Sequence, residues 1–292
     1  MFKFRFSGDK EDEEEDKDIK NSTLNWISAS KVEVLEMQVE KQYEPVDYAE
    51  NKIFPGCKLK LIRFEKALHD LQMENCTNII EAESQNSDLI PAKYEGGLKI
   101  WECNYDLSQY LFKNDVEFQG KLVLDLGCGN GVLGLIALLK NSIVHFQDYN
   151  VEVIKAITIP NVLLNFDDRE SVLKRCQFFC GDWESFTKLR SSKGDEFVKY
   201  DLILTSDTTY NPDNLKKLYE VFKQRLKEDG IGICSRVLRL IAGKSYYFGV
   251  GGGIRQFQNL IEEDGIFDVE TMWKTRDGLE KKILKITRKQ QS

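Results

Sequence analysis

From about residue 88 onward, short apolar runs alternate with longer stretches in which apolar positions recur every three or four residues. The runs predict strands at 121–126, 143–147, 175–180, 200–206 and 230–235, and the stretches predict helices at 131–140, 150–165 and 213–228. A helix at 254–264 and two β-rich runs at 266–273 and 281–288 come next, which would close the sheet with an antiparallel pair. Strands alternating with helices imply an α/β architecture, a mainly parallel sheet with helices on both faces. Residues 1–85 read differently. Periodicity is weak, Pro45, Pro55 and Gly56 punctuate it, and the expectation is an acidic, partly disordered arm with short helices near 58–73, leaving 86–292 as the folded domain. Within the arm, the run Asp9 to Asp18 would repel itself and stay solvated.

Chemistry concentrates at the predicted strand ends. Residues 122–131 read L-V-L-D-L-G-C-G-N-G, a strand entering Asp125, Gly127, Gly129 and Gly131 and then a helix. Glycines at alternate positions permit a tight turn and close approach of a ligand. Dinucleotide sites use a similar turn, but here the third glycine comes one place early and a carboxylate stands two residues before the first. A pyrophosphate would be repelled by Asp125, whereas a sulfonium bearing an ammonium group would be attracted. The pattern therefore favours S-adenosyl-L-methionine over NAD, with a purely structural turn as the plain alternative. Asp148, about 20 residues further on at the next strand end, is placed to accept ribose hydroxyls. At the third strand end, Gly181, Asp182 and Trp183 offer a carboxylate for an adenine amino group and an indole to cover the ring.

Bulk properties narrow the class. A length of 292 residues with 41% hydrophobic content supports a sizeable core. No apolar run approaches the length needed to span a membrane, and the first residues lack the apolar stretch of a secretory signal. Seven cysteines without a C-x-x-C pair, and two histidines (His69 and His145), read as a reducing compartment without structural metal. A net charge of −7 and a pI near 5.2 argue against broad nucleic-acid binding and suit a basic partner.

Five segments together are more restrictive than the glycine turn: Asp88-Leu-Ile-Pro; Tyr94-Glu-Gly-Gly-Leu-Lys-Ile-Trp-Glu102; His145-Phe-Gln-Asp-Tyr-Asn150; Tyr200 to Ser206 with Tyr210-Asn-Pro212; and Tyr247-Phe-Gly-Val-Gly-Gly-Gly253. Over most of 86–292 the chain resembles the eukaryotic protein-histidine N-methyltransferases of the seven-β-strand class. The resemblance implies a Rossmann-like seven-stranded S-adenosylmethionine-dependent fold and N-methylation of one histidine, on its tele nitrogen, in a ribosomal protein of the large subunit. It implies a monomeric enzyme of the cytoplasm and nucleus, the nucleolus included, with no sequence-specific contact to nucleic acid. Carried over by position, the cofactor contacts fall on Ile100, Trp101, Glu102, Cys103, Asn104, Gly127, Gln147, Asp148, Tyr149, Gly181, Asp182, Trp183 and Ser206, joined by Asp125 and Gly129 from the turn itself.

After the fourth strand, Ser206-Asp207-Thr-Thr-Tyr210 places a carboxylate and a phenol beside the methyl donor. Asp207 and Tyr210 are the expected substrate-orienting pair; relatives in this family can carry glutamate at the place of Asp207. A neutral imidazole already offers a lone pair, so orientation is the main task. Asp207 accepting the other ring N–H would fix the tautomer and stabilise the imidazolium that forms. His69 and His145 are expected to be structural. The glycines of 249–253 would shape a substrate channel or serve as a plain connection. Against the resemblance, the eight residues Arg236 to Gly243 read as an insertion after the fifth strand, a genuine extension or a splicing error. Methylation of another protein side chain, of a nucleic acid or of a small molecule, and a non-catalytic cofactor-binding assembly factor, stay open as alternatives.

Overall fold

Apolar runs too short to cover a core singly bury themselves side by side, and here eight of them form one sheet. The computed structural model describes residues 25–85, 87–189, 197–227, 238–275 and 278–289. The amino-terminal part holds β1 (Ser30–Val32), α1 (Glu36–Glu40), β2 (Tyr48–Phe54), β3 (Cys57–Ile62), α2 (Phe64–Met73) and α3 (Thr77–Ser84). Next come α4 (Glu102–Lys113), β4 (Leu122–Leu126), α5 (Val132–Leu139), β5 (Ile143–Asp148) and α6 (Val151–Val153). A π-helical turn, Ile154–Thr158, leads into α7 (Ile159–Asn165), α8 (Arg169–Leu173), β6 (Cys176–Cys180) and α9 (Trp183–Lys188). The chain ends with β7 (Leu202–Ser206), α10 (Leu215–Arg225), β8 (Leu238–Lys244), α11 (Ile254–Asp264), β9 (Phe267–Lys274) and β10 (Lys281–Arg288).

The sheet order is β1-β6-β5-β4-β7-β8-β10-β9. Strands β6, β5, β4, β7 and β8 are parallel, while β1 and the β10–β9 pair run antiparallel at the two edges. From β4 the chain lays β5 and β6 on one side, then crosses back to place β7 on the other. That reversal splays the loops after β4 and β7 and opens a crevice at their carboxyl ends. The fold is the Rossmann-like methyltransferase architecture, with β1 added as an eighth strand. Helix α5 is buried along almost its whole length because it lies between the sheet and α4. Its Gly134 is a packing requirement: an added Cβ would stand 2.2 Å from Phe146 Cε1.

Several expectations change. In the described part of the arm, from residue 25, the helix expected near 58–73 begins at Phe64, and 57–62 is a strand. Alternation in Cys57–Ile62 turns Cys57, Leu59 and Leu61 into the core, and Gly56 (φ +85°) supplies the corner of the hairpin. The free edge of β3 is satisfied by two side chains of α7: Asn161 Oδ1 accepts from Ile62 N at 2.7 Å and Asn165 Oδ1 from Lys60 N at 2.9 Å. The helix expected over 150–165 is interrupted by its π turn just before Pro160, a residue with no N–H to donate. The strand expected at 230–235 and the run Asp9 to Asp18 lie outside the described residues. The place beside β7 is taken by Leu238–Lys244, so most of the stretch that reads as an insertion is the fifth parallel strand itself.

Candidate active site

The turn after β4 is built for close approach. Gly127 (φ +64°) and Gly129 (φ +49°) adopt backbone conformations that favour glycine, and a Cβ on Gly129 would stand 2.8 Å from the carbonyl of Gly97. Gly129 N donates to Asp148 Oδ2 at 2.8 Å, and Thr158, brought round by the π turn, donates its hydroxyl to Gly129 O at 2.7 Å. The turn is thus held from β5 and from the π-helical segment. Asp125 is held elsewhere. It is buried, accepts from Gly134 N at 2.8 Å, and does not line the crevice; burial pushes its carboxyl up to about 8. It fastens the start of α5 from behind the crevice.

At the end of β5, Asp148 faces the crevice with its carboxyl pushed up to about 6 by burial. Gln147 lies behind it, donating to the carbonyls of Gly181 (2.8 Å) and Asp148 (2.9 Å) and accepting from Trp183 Nε1 at 2.9 Å. Gln147 therefore orients the indole from outside the cavity. Asp182 caps α9 through Glu184 N (2.9 Å) and pairs with Lys217 at 2.7 Å. Gly181 (φ +102°) lies beneath an amino-terminal strap: its Cβ would stand 2.5 Å from Ala29 Cα. The strap is tied by Asp182 N donating to Ile27 O (2.8 Å) and Ala29 N donating to Ser185 Oγ (2.7 Å). It carries Trp26 into the cavity lining, with the Lys217 ammonium 3.5 Å from the ring centroid and Tyr149 against its edge.

The third wall joins α4 to β7. Asp207, a non-glycine residue at φ +55°, accepts from Cys103 N at 2.9 Å and from the Tyr247 hydroxyl at 2.7 Å. A carboxylate at the amino end of α4 suits the helix dipole, while burial raises the pKa of Asp207. Both of its oxygens are therefore engaged by the protein, and Cys103 contributes its backbone without lining the crevice. Asn104 donates to Ser206 Oγ at 3.2 Å, and its own Oδ1 is buried with no partner. Trp101 is positioned by donating Nε1 to the carbonyl of Gly96 at 3.1 Å. From the opposite side, the Tyr210 hydroxyl donates to Glu95 Oε2, and Glu95 Oε1 is buried and unpartnered.

These walls enclose a cavity of about 390 Å³, within the range of small-molecule sites. Of the residues singled out from sequence, Ile100, Trp101, Glu102, Asn104, Gly127, Gly129, Asp148, Tyr149, Gly181, Asp182, Trp183, Ser206, Asp207 and Tyr210 line it; Cys103, Asp125 and Gln147 support it from behind. Sequence reasoning passed over Trp26, Glu95, Tyr247 and Lys244. Glu95 and Tyr247 lie inside segments the resemblance rests on, whereas nothing in the sequence ties Trp26 to the site. Six carboxylates (Asp88, Glu95, Glu102, Asp148, Asp182, Asp207) face the cavity against two lysines, Lys99 and Lys244, which are paired with Asp88 at 2.5 Å and Glu102 at 3.6 Å. The free acceptor of Asn104, the glycine cradle, the acid of β5 and the indole of Trp183 fit a cationic, amino-bearing nucleoside cofactor. His145 is buried in β5 with Nδ1 3.1 Å from the Tyr200 hydroxyl, and burial lowers its pKa to about 4; His69 is exposed on α2. Among the described residues no cluster suited to a metal ion occurs.

Fold and cavity together are those of the S-adenosyl-L-methionine-dependent methyltransferase class, and that molecule is the cofactor. The chain belongs to the family described as lysine methyltransferase, whose profile matches residues 90–247. It is similar to the histidine protein methyltransferase 1 homologs of Bos taurus, 44% identical over 72% of this chain and 60% of the relative, and of Mus musculus, 45% identical over 72% and 61%. The Dictyostelium discoideum homolog is 43% identical over 70% of this chain and 61% of its own. The chain spans about three fifths of the length of these curated relatives.

Proposed function

We propose that this chain is an S-adenosylmethionine-dependent protein-histidine N-methyltransferase that modifies the tele nitrogen of a histidine in a basic ribosomal protein of the large subunit. The observation that carries the reading is the 44% identity, over 72% of the chain, to relatives named for histidine methylation. The cavity supports it chemically. Its carboxylates attract a cationic cofactor and a basic polypeptide, and a neutral imidazole needs orientation more than deprotonation. On this reading the enzyme works as a monomer in the cytoplasm and nucleus, where ribosomal proteins are made and assembled, and the net charge of −7 favours a basic protein over nucleic acid as its partner.

The test is transfer of label from S-adenosyl-L-[methyl-³H]methionine into large-subunit proteins of cells lacking the enzyme, followed by acid hydrolysis of the labelled band. Label in methylhistidine from one protein is the expected result. Label in methyl-lysine would favour the second reading, a lysine acceptor, which the family's description supports. Cofactor binding without transfer would favour a non-catalytic assembly factor.

A further inference from the structure

A histidine acceptor is oriented by a carboxylate that receives its second ring N–H, and the six that face the cavity differ in how far the protein already engages them: Asp88 pairs with Lys99 and the exposed Glu102 with Lys244. Asp207 is committed to Cys103 N and the Tyr247 hydroxyl. Asp148 is turned to the backbone N–H groups of Gly129 and Asn150, at 2.8 and 3.3 Å. Asp182 caps α9 and pairs with Lys217. Glu95 differs from the other five. Tyr210 takes one of its oxygens, and the other is buried, without a partner, in a residue that lines the cavity.

Glu95 is also held firmly. Its N–H donates to Asn150 Oδ1 at 3.2 Å; the next carbonyl, of Gly96, accepts from Trp101 Nε1; and the one after, of Gly97, lies against Gly129. The carboxylate is therefore fixed relative to the tryptophan wall, the cofactor turn and the β5 acid together. The groups facing it are Tyr210, the Ala92 backbone, Asp148 and Lys217, and its burial raises its pKa.

We propose that Glu95, clamped by Tyr210, is the catalytic carboxylate that accepts the pros N–H of the substrate imidazole while the tele nitrogen is methylated. The inference rests on the histidine reading and moves to Glu95 the role that sequence alone gives to Asp207. The cofactor supplies an electrophilic methyl group: its S–CH₃ bond breaks as N–CH₃ forms, leaving a neutral thioether and a cationic ring. The proton stays on the pros nitrogen, hydrogen-bonded to Glu95, and passes to water after the product leaves. Because the pros nitrogen is held as a donor, only the tele lone pair faces the methyl.

The experiment compares wild type, Glu95→Gln and Glu95→Asp on large-subunit proteins of cells lacking the enzyme, reading initial rate, the ratio of tele- to pros-methylhistidine after hydrolysis, and S-adenosylhomocysteine affinity by calorimetry. Glu95→Gln is expected to slow transfer by on the order of 10²-fold, the scale of one preorganised hydrogen-bonding group. A glutamine amide can accept through its oxygen or donate through its nitrogen, so it no longer fixes tautomer or ring orientation, and flipped rings that present the pros lone pair to the methyl add pros-methylhistidine to the products. Glu95→Asp keeps the charge and restores the single isomer at a reduced rate. S-adenosylhomocysteine affinity stays within about threefold of wild type, because the cofactor is held elsewhere. An unchanged rate and isomer in Glu95→Gln overturns the proposal, as does a loss of cofactor affinity as large as the loss of rate. Methyl-lysine from the wild-type enzyme would instead overturn the histidine reading, and is read without either variant.

Discussion

Asp125 shows how one carboxylate's surroundings decide its role. With its carboxyl pushed up to about 8 by burial, it holds its proton at neutral pH and accepts from Gly134 N like a neutral side chain. Its folded-state value lies above the unfolded 3.8, so the stability it contributes is full below about 4 and is lost as pH rises through 8. Asp125→Asn keeps the acceptor and removes the titration. The variant is expected to bind S-adenosylhomocysteine within about threefold of wild type, and its stability advantage in urea unfolding should grow from about pH 5 to about pH 8 and then level off. A large loss of affinity at neutral pH would return Asp125 to the cofactor. Asp148 should behave oppositely towards the ligand: a carboxylate that accepts ribose hydroxyls must be ionised, so affinity should fall as pH drops through about 6.

At the scale of elements, close packing and the strap make separate predictions. A methyl at Gly134 would meet the Phe146 ring at 2.2 Å, so Gly134→Ala should cost about 1–3 kcal/mol despite the better helix propensity of alanine. Adding Phe146→Leu should recover part of that loss, since the two groups share the same space; additive effects in urea unfolding would count against the contact. The strap brings Trp26 over the cavity beside Tyr149 and Lys217, so Trp26→Ala should raise the dissociation constant for S-adenosylhomocysteine about threefold to tenfold with little change in stability. These elements also mark how much was legible. The glycine turn and the acids at the ends of β5 and β6 announce themselves because local pattern alone fixes a strand end and the turn after it. Strand β8 does not: Leu238–Lys244, with Arg239 and Lys244 among its apolar positions, reads largely as an insertion, and only its pairing with β7 and β10, distant in sequence, makes it a strand. Nor does the sequence show that Asp207 is engaged by Cys103 and Tyr247, because those partners lie 104 and 40 residues away. Glu95 was visible only as a letter in a motif; its free oxygen is a consequence of tertiary packing.

For the whole molecule, charge sets the encounter with substrate. The chain carries −7 overall, and the carboxylates of the cavity outnumber its lysines, so a basic protein arriving at the crevice is drawn by a field that added salt screens. The Debye length shrinks from about 10 Å at 0.1 M salt to about 3 Å at 1 M, which removes steering from charges away from the contact while leaving buried pairs such as Lys217 with Asp182 largely intact. Raising salt from about 0.05 to about 0.5 M should therefore lower kcat/KM for a basic protein substrate by about tenfold, through KM, with kcat and S-adenosylhomocysteine affinity nearly constant. A parallel fall in kcat would place the salt effect in the catalytic geometry instead. Indifference of both constants would mean that recognition rests on contacts within the cavity, the glutamate of the Tyr94-Glu-Gly-Gly segment foremost, and not on the acidic surface around it.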